Sequence, residues 1–361
     1  MEADFINQRL YNLRTRLHEK ELEGILISNP INCSYLSGFT GTSVYLLIMT
    51  EEAYLITDFR YLDQAVEEAP LFSLISLKNT FTSTVEEIVK KKRLKKMGFE
   101  QNHLTVYWYE TLKKILGDVE LVPLYQEVET LRAVKDEGEI RLIKEAAEIA
   151  EKSFEKILNY LKPGVMEEDI ANELEYILKK EGGQKAAFDF IVASGKRSSL
   201  PHGAASKKKV EPGDIVVLDF GIYYNGYCSD ITRTVAINYA GERERRLYKL
   251  VLSAQKEAIQ GIKEGLTGEE ADALARQVIT KAGYGENFGH GLGHGVGLEV
   301  HEEPRLSANT KSILKQGMVV TIEPGVYFSG WGGIRIEDMV VIRESKCELL
   351  TQKLKDEFIV L

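Results

Sequence analysis

The sequence predicts two domains in tandem, an α/β domain over residues 1–130 and a larger α+β domain over 131–361 with an internal pseudo-twofold repeat. Three observations carry this. The first 128 or so residues alternate helical with strand patterns at short spacing, an α/β signature. A long amphipathic helix over Lys135–Leu161 ends the alternation, with Ile140, Ile143, Ala146, Ala147, Ala150, Phe154 and Ile157 on one face. Beyond it, KPGVMEEDIANELEYILKKEG (162–182) is echoed by KEGLTGEEADALARQVITKAG (263–283) at a constant offset of 101.

In the N-terminal part the charged, amphipathic Phe5–Lys20 predicts a helix. The short apolar runs Gly24–Ser28, Val44–Met49 and Ala53–Thr57 predict strands, and Tyr61–Glu68 and Thr84–Lys92 read as helices. The domain boundary falls near residues 125–135. In the C-terminal part PGDIVVLD (212–219) matches QGMVVTIE (316–323) at an offset of 104, and each copy closes an apolar strand with an acid six positions after a Gly. The repeat is therefore two helix–helix–strand–strand units. Chance likeness between two amphipathic helices explains the helical echo alone; the matched acidic strand ends argue for the repeat.

Composition narrows the function. The 361 residues are 44% hydrophobic and 28% charged, enough for real cores and too apolar for wholesale disorder. With 46 Lys+Arg against 55 Asp+Glu the net charge is −9, and the basic runs Lys90–Arg93 and Lys207–Lys209 read as solvated faces. Nucleic acid is thus not the expected partner. Three widely spaced cysteines, Cys33, Cys228 and Cys347, form no CxxC pattern and imply neither a disulfide framework nor a thiolate zinc site. The N-terminus lacks an apolar signal core, and no apolar run approaches the length of a membrane span. A cytoplasmic, membrane-free location is expected. P-loop, dinucleotide-fingerprint, kinase and serine-elbow motifs are all incomplete.

The chemistry gathers in three segments. In LDFGIYYNGYCSDITRT (218–234), Asn225–Gly226 is a strong hairpin signal, because both turn positions need φ > 0. With those two residues as the loop, Tyr224 pairs with Tyr227, Asp219 with Thr232, and Asp230 lies opposite Gly221. Asp219 and Asp230 then share one sheet face as diagonal neighbours. Two acids there require a cation, either a metal ion or arginine. Thr232 is placed to orient a ligand carboxylate. In GHGLGHGVGLEVHEEP (289–304), three of the chain's six histidines, His290, His294 and His301, fall within twelve positions. The glycines make a helix improbable. In extended backbone His290 and His294 share a face, and His301 lies farther along at opposite parity. Finally VVTIEPGVYF (319–328) and GGIRIEDMVVI (332–342) each place an acid, Glu323 and Glu337, inside an apolar strand. An ion pair with Arg335 is the plain structural account of Glu337. Four acids and an imidazole suit two divalent ions of the Mn²⁺ or Co²⁺ kind better than a closed thiolate zinc site, and metal-assisted hydrolysis is the chemistry favoured.

The ligand set Asp219, Asp230, His294, Glu323 and Glu337 resembles, residue by residue, that of the pita-bread metallopeptidases. The motifs DFG…SDITRT, GHGLGHGVGLEVHE, TIEPG and GGIRIED carry this. The N-terminal part, with TDFRY (57–61), resembles the creatinase/prolidase N-terminal domain, so the likeness spans the chain. The Xaa-Pro peptidase branch (prolidase and aminopeptidase P) is most similar. This resemblance implies two divalent metal ions, Mn²⁺ or Co²⁺ with Zn²⁺ allowed, and cleavage of the Xaa-Pro bond in dipeptides or short peptides by a metal-bridging hydroxide. It further implies that Asp219 chelates one ion and His294 and Glu323 the other, with Asp230 and Glu337 bridging. Glu323 would handle the proton. His202, His290 and His301 would line the site, and Arg335 would hold Glu337 or a substrate carboxylate. A homodimer acting on small peptides with proline at position 2 is expected. Three relatives are weighed against this reading. Methionine aminopeptidases share the ligands but resemble only the C-terminal part. Creatinase lacks the metal set, and non-catalytic pita-bread modules have usually lost ligands.

Overall fold

The N-terminal alternation resolves into one mixed sheet in the computed structural model, which describes residues 2–351 and 355–361, the side chains of residues 2 and 3 excepted. The elements run α1 (Glu2–Glu19), β1 (Gly24–Ile27), α2 (Pro30–Ser37), β2 (Val44–Met49), β3 (Ala53–Thr57), α3 (Leu62–Glu68), β4 (Ser73–Ser76), α4 (Phe81–Lys92), β5 (Lys96–Glu100), α5 (Val106–Leu116), β6 (Glu120–Leu124) and α6 (Glu127–Arg132). Strand order is β4-β3-β2-β1-β5-β6, with β2 antiparallel to both neighbours and the remaining pairs parallel. Strand β1 is buried at every position, which is why it reads as an unbroken apolar run rather than an alternation. Helix α4 starts at Phe81, three residues before the expected Thr84, because the Thr80 side chain caps it by accepting the Ser83 N–H. Strands β5 and β6 carry Lys, Gly, Glu and Pro among their apolar residues, so their sequence shows no clear strand period.

The chain divides into two compact units, the first ending at Arg132 and the second spanning Ala133–Leu361. The second begins with α7 (Glu137–Ile157), α8 (Glu167–Lys180), β7 (Lys185–Ala186), β8 (Ile191–Ser194), β9 (Ile215–Phe220), β10 (Ile222–Tyr224), β11 (Tyr227–Cys228) and β12 (Ile231–Ala236). It continues with α9 (Glu242–Gly261), α10 (Gly268–Lys281), β13 (Gly293–Gly295), β14 (Glu302–Leu306), β15 (Val319–Ile322), β16 (Gly325–Phe328), β17 (Gly332–Arg335), β18 (Asp338–Ile342) and β19 (Cys347–Leu349). Capping boxes start α7 (Asp136 with Glu139) and α10 (Thr267 with Glu270), so each half of the repeat holds one sharply defined helix start. Each helix pair covers its own apolar core. One is built around Phe154, Leu174, Val192 and Phe220, the other around Leu247, Val251, Ile279 and Val320.

Each helix pair is followed by a hairpin, and both hairpins break in the middle. In the first, β9 pairs with β12 (Asp219 opposite Thr232) and β10 with β11 (Tyr224 opposite Tyr227), in separate three-stranded sheets. Asn225 and Gly226 have φ of 46° and 90°, the doubly positive turn expected of that dipeptide. In the second, β15 pairs with β18 in a five-stranded sheet and β16 with β17 in a two-stranded one. Gly221 and Ser229–Asp230 lie in the first break, Glu323–Pro324 and Ile336–Glu337 in the second. At the second break the backbone leaves its ladder. Glu323 N–H donates to Leu292 O (2.8 Å), Glu337 N–H to Thr232 O (3.1 Å), and Pro324 has no N–H to give. The cysteines are free and buried, and no helix among the described residues is long and apolar enough to cross a membrane.

Candidate metal centre

The two hairpins meet through β12. Thr234 Oγ1 donates to Arg335 O (2.7 Å) and accepts from Arg335 N–H (3.2 Å), one turn of the pleat from where Thr232 O takes the Glu337 N–H. This stitching brings acids more than a hundred residues apart onto one side. Asp230, His294 and Glu337 offer ligand atoms that all lie within 4.8 Å of one another. His294 Nε2 stands 3.4 Å from Glu323 Oε1 and 3.6 Å from Asp230 Oδ2. Asp219 is outside that tightest group but inside its field, since its charge raises the carboxyls of Asp230, Glu323 and Glu337.

The tautomer of His294 follows from its neighbour. Its Nδ1 is 3.1 Å from Gly295 O, and a carbonyl only accepts, so Nδ1 carries the proton and Nε2 turns a lone pair toward the acids. Burial and then the His301 ring hold its pKa down to about 3, so it stays neutral at physiological pH. The acids are displaced the other way. Burial, followed by the Glu337 charge, pushes Asp230 well above the ordinary carboxyl range. Burial, followed by the Glu323 charge, does the same to Glu337, and Glu323 is raised mainly by burial to about 8. Without counter-cations these groups favour their protonated forms.

Arg335 does not take Glu337, the protein partner expected of it. Its Nη2 is 2.5 Å from Asp219 Oδ2, its Nε 3.1 Å from Thr232 Oγ1, and its Nη1 2.8 Å from the Tyr327 hydroxyl. The arginine thus holds Asp219 rather than Glu337, because the chain leaves the ladder between Arg335 and Asp338 and strand alternation no longer sets which side chains meet. Thr232 does orient a candidate ligand: its Oγ1 donates to Glu337 Oε2 at 2.6 Å. The extended-chain parity drawn for the histidines holds only in part. Between His290 and His301 only Gly293–Gly295 is strand, and the loop after it folds His301 back until its ring centroid is 4.2 Å from that of His294. His290 Nδ1 donates to Gly291 O (2.8 Å), and its Nε2 therefore accepts from the Tyr327 hydroxyl (3.0 Å). Burial and then Arg335 lower its pKa to about 4. His202 is exposed and lies within electrostatic reach of Asp219, His290 and His301.

These residues fit divalent cations. One guanidinium touches one oxygen of four gathered acids, and Asp219 Oδ1 and Asp230 Oδ1 are buried without a hydrogen-bond partner among the described residues. An oxygen-rich set with one neutral imidazole, and protein partners already holding Glu337, His294 and Asp219 in place, is what such ions require. Sequence reasoning missed Tyr327, which links His290 to Arg335, and Thr321, whose hydroxyl accepts from His294 N–H (3.1 Å) and donates to Glu323 Oε1 (3.3 Å). Thr321 is two residues from Glu323 on an otherwise apolar strand, a polar spacing that could have signalled it.

All of these residues lie within a stretch that matches a known family. The profile of Metallopeptidase family M24 matches residues 141–344, and that of the Creatinase/Prolidase N-terminal domain matches 9–134. A Xaa-Pro dipeptidase of Pyrococcus furiosus is 39% identical over 348 residues, 96% of this chain and 98% of that protein. Among solved structures, a Xaa-Pro dipeptidase from Bacillus anthracis superposes with a TM-score of 0.96 at 45% identity, covering 99% of this chain and 100% of that one. An X-Pro aminopeptidase from Thermotoga maritima gives 0.90 at 41% identity, covering 94% and 98%.

Proposed function

The chain belongs to metallopeptidase family M24, with an N-terminal domain of the creatinase/prolidase type, and from that premise we propose that it hydrolyses the peptide bond preceding proline in dipeptides and short peptides. The observation that carries this is the gathering of Asp230, Glu323, Glu337 and neutral His294, with Asp219 beside them, in one buried cluster whose oxygens are only partly satisfied by protein. Two divalent ions would be held there, Asp219 serving one, His294 and Glu323 the other, and Asp230 and Glu337 both. When bound, they would polarise the scissile carbonyl and make hydroxide available at neutral pH.

The remaining work falls to the chain's own groups. Glu323 takes the proton of the attacking water on the carboxyl oxygen that Thr321 leaves free. As the C–N bond breaks it returns that proton to the proline nitrogen, which leaves as a secondary amine. His301, beside His294, and exposed His202 would line the substrate's side of the site; as donors they would stabilise the oxyanion. Arg335 holds Asp219 in its ligating orientation, and the Arg335–Tyr327–His290 chain fixes the guanidinium in turn. The N-terminal match over 9–134 supports this reading over a methionine-aminopeptidase-like one, which needs only the C-terminal part.

The test is an assay of metal-free protein on Ala-Pro beside Ala-Pro-Ala, with Mn²⁺, Co²⁺ or Zn²⁺ restored in turn. Cleavage that depends on added metal and requires proline is expected, and the two peptides separate dipeptidase from aminopeptidase behaviour. Full activity after exhaustive chelation would overturn the proposal.

A further inference from the structure

Gln255 plays no part in the chemistry above, yet it is fully buried on α9. The repeat says what should stand there. Carried back from 263–283 into the preceding helix, the offset of 101 sets Ala146, Ala147, Ala150, Phe154 and Ile157 of α7 against Leu247, Tyr248, Val251, Gln255 and Ala258 of α9, and every one of these is buried. In the first half the position is a phenyl ring packed against Phe220, centroids 6.3 Å apart. In the second half it is an amide. A buried amide at a core position needs hydrogen-bond partners to be tolerated, so its partners are the clue.

Gln255 Nε2 lies 3.1 Å from Ile322 O, 3.2 Å from Ile336 O and 3.0 Å from Asp338 Oδ2, while its Oε1 has no partner among the described residues. Two N–H groups face three acceptors, so one hydrogen is shared, and the orientation is fixed because a flip would set oxygen against oxygen. Asp338 is itself held by Arg233 Nη2 (2.9 Å), Thr351 Oγ1 (2.8 Å) and Lys355 Nζ. The two carbonyls belong to the peptide units that lead directly into Glu323 and Glu337. Ile322 is the last residue of the β15–β18 ladder, opposite Asp338, and Ile336 lies just beyond the β16–β17 ladder. Between the two ladders one long cross-strand bond remains, Ile336 N–H to Pro324 O (3.4 Å), while Glu323 and Glu337 donate their own N–H groups elsewhere. Gln255 donates to both carbonyls.

We propose that Gln255 is a positioning residue that sets the separation and aim of the Glu323 and Glu337 carboxylates for metal binding. This inference rests on the two-ion reading of the site. Its test is calorimetric titration of the metal-free protein with MnCl₂, alongside melting in chelator. Gln255→Met keeps the volume and removes the donor, and Gln255→Asn keeps the amide but falls short of the carbonyls. Each should stay folded and bind Mn²⁺ about 10- to 100-fold more weakly, the usual cost of losing a group that orients metal ligands. Phe154→Leu, at the matched position of the other half, should lower the melting temperature and leave Mn²⁺ affinity unchanged. If Gln255→Met does not fold, Gln255→Asn carries the test. Wild-type affinity in either folded Gln255 variant overturns this inference alone, whatever its melting temperature. A wild-type protein that binds no Mn²⁺ overturns the two-ion reading and this inference with it.

Discussion

Asp230 and Glu337 pull in two directions that one substitution can separate. Each is an acid buried among like charges and raised well above the ordinary carboxyl range, so in metal-free protein each is a liability. Asp230→Asn and Glu337→Gln should cut Ala-Pro turnover by roughly 10²–10³-fold or more, the scale seen when a group stabilising developing charge is lost. In chelator they should melt no lower than wild type, because the cost of keeping a buried acid protonated has gone. A near wild-type rate, or a melting temperature several degrees lower in chelator, would contradict this. His290 gives a pH prediction. The folded protein holds its pKa near 4, whereas the unfolded chain takes a proton near 6.5, so between those values the unfolded state binds more protons. The contribution of His290 to stability should therefore fall as pH drops from about 6.5 toward 4, by on the order of 3 kcal/mol for the full shift, against the opposite contribution of the raised acids Asp230, Glu323 and Glu337. Urea unfolding in chelator at pH 7 and 4.5 should show the stability of His290→Asn improving relative to wild type at the lower pH; an unchanged difference between the two proteins would exclude the histidine's contribution.

The ladder breaks decide the site at the scale of elements, and they mark where sequence reasoning stops. Asn225–Gly226 fixed the first hairpin's register from the sequence, because that dipeptide admits few turns, and Asp219 stands opposite Thr232 as expected. Neither break was legible, since an apolar alternation looks the same whether or not its peptide groups bond across the ladder. For that reason Arg335 could not be matched to Asp219 in advance; His301 was not matched to His294 because a loop, not a strand, carries it there. Gly221 shows why the first break exists: a Cβ there would overlap the Ser229 carbonyl, just before Asp230. Gly293, beside His294, is crowded in the same way by Thr321 O. Gly221→Ala should push the Ser229–Asp230 segment aside, costing about 1–3 kcal/mol of overpacking and weakening Mn²⁺ binding more than tenfold, the cost of a misplaced ligand. Unfolding and calorimetric titration read the two effects separately. Loss of stability with Mn²⁺ affinity intact would show that the break does not position Asp230.

For the whole molecule, the repeat was legible because its helices keep one offset and its strand ends keep their acids. Gln255 was hidden by the same repeat, being a polar exception that has meaning only once its partners are known. All five candidate ligands belong to the unit Ala133–Leu361, and none to the unit that ends at Arg132. A ligand that binds only folded protein stabilises what it binds, by about 2.7 kcal/mol at a free concentration one hundred times Kd. Mn²⁺ should therefore protect β9, β12, β15 and β18 against hydrogen exchange relative to protein in chelator, and leave β1, β2 and β5 as they were. Calorimetric melting should show the same asymmetry, with one transition rising on metal addition and another staying fixed, since chains of two compact units need not unfold in a single step. Equal added protection in β1 and β15 would mean that ion binding is felt across both units, and that the metal stabilises the chain as one cooperative body.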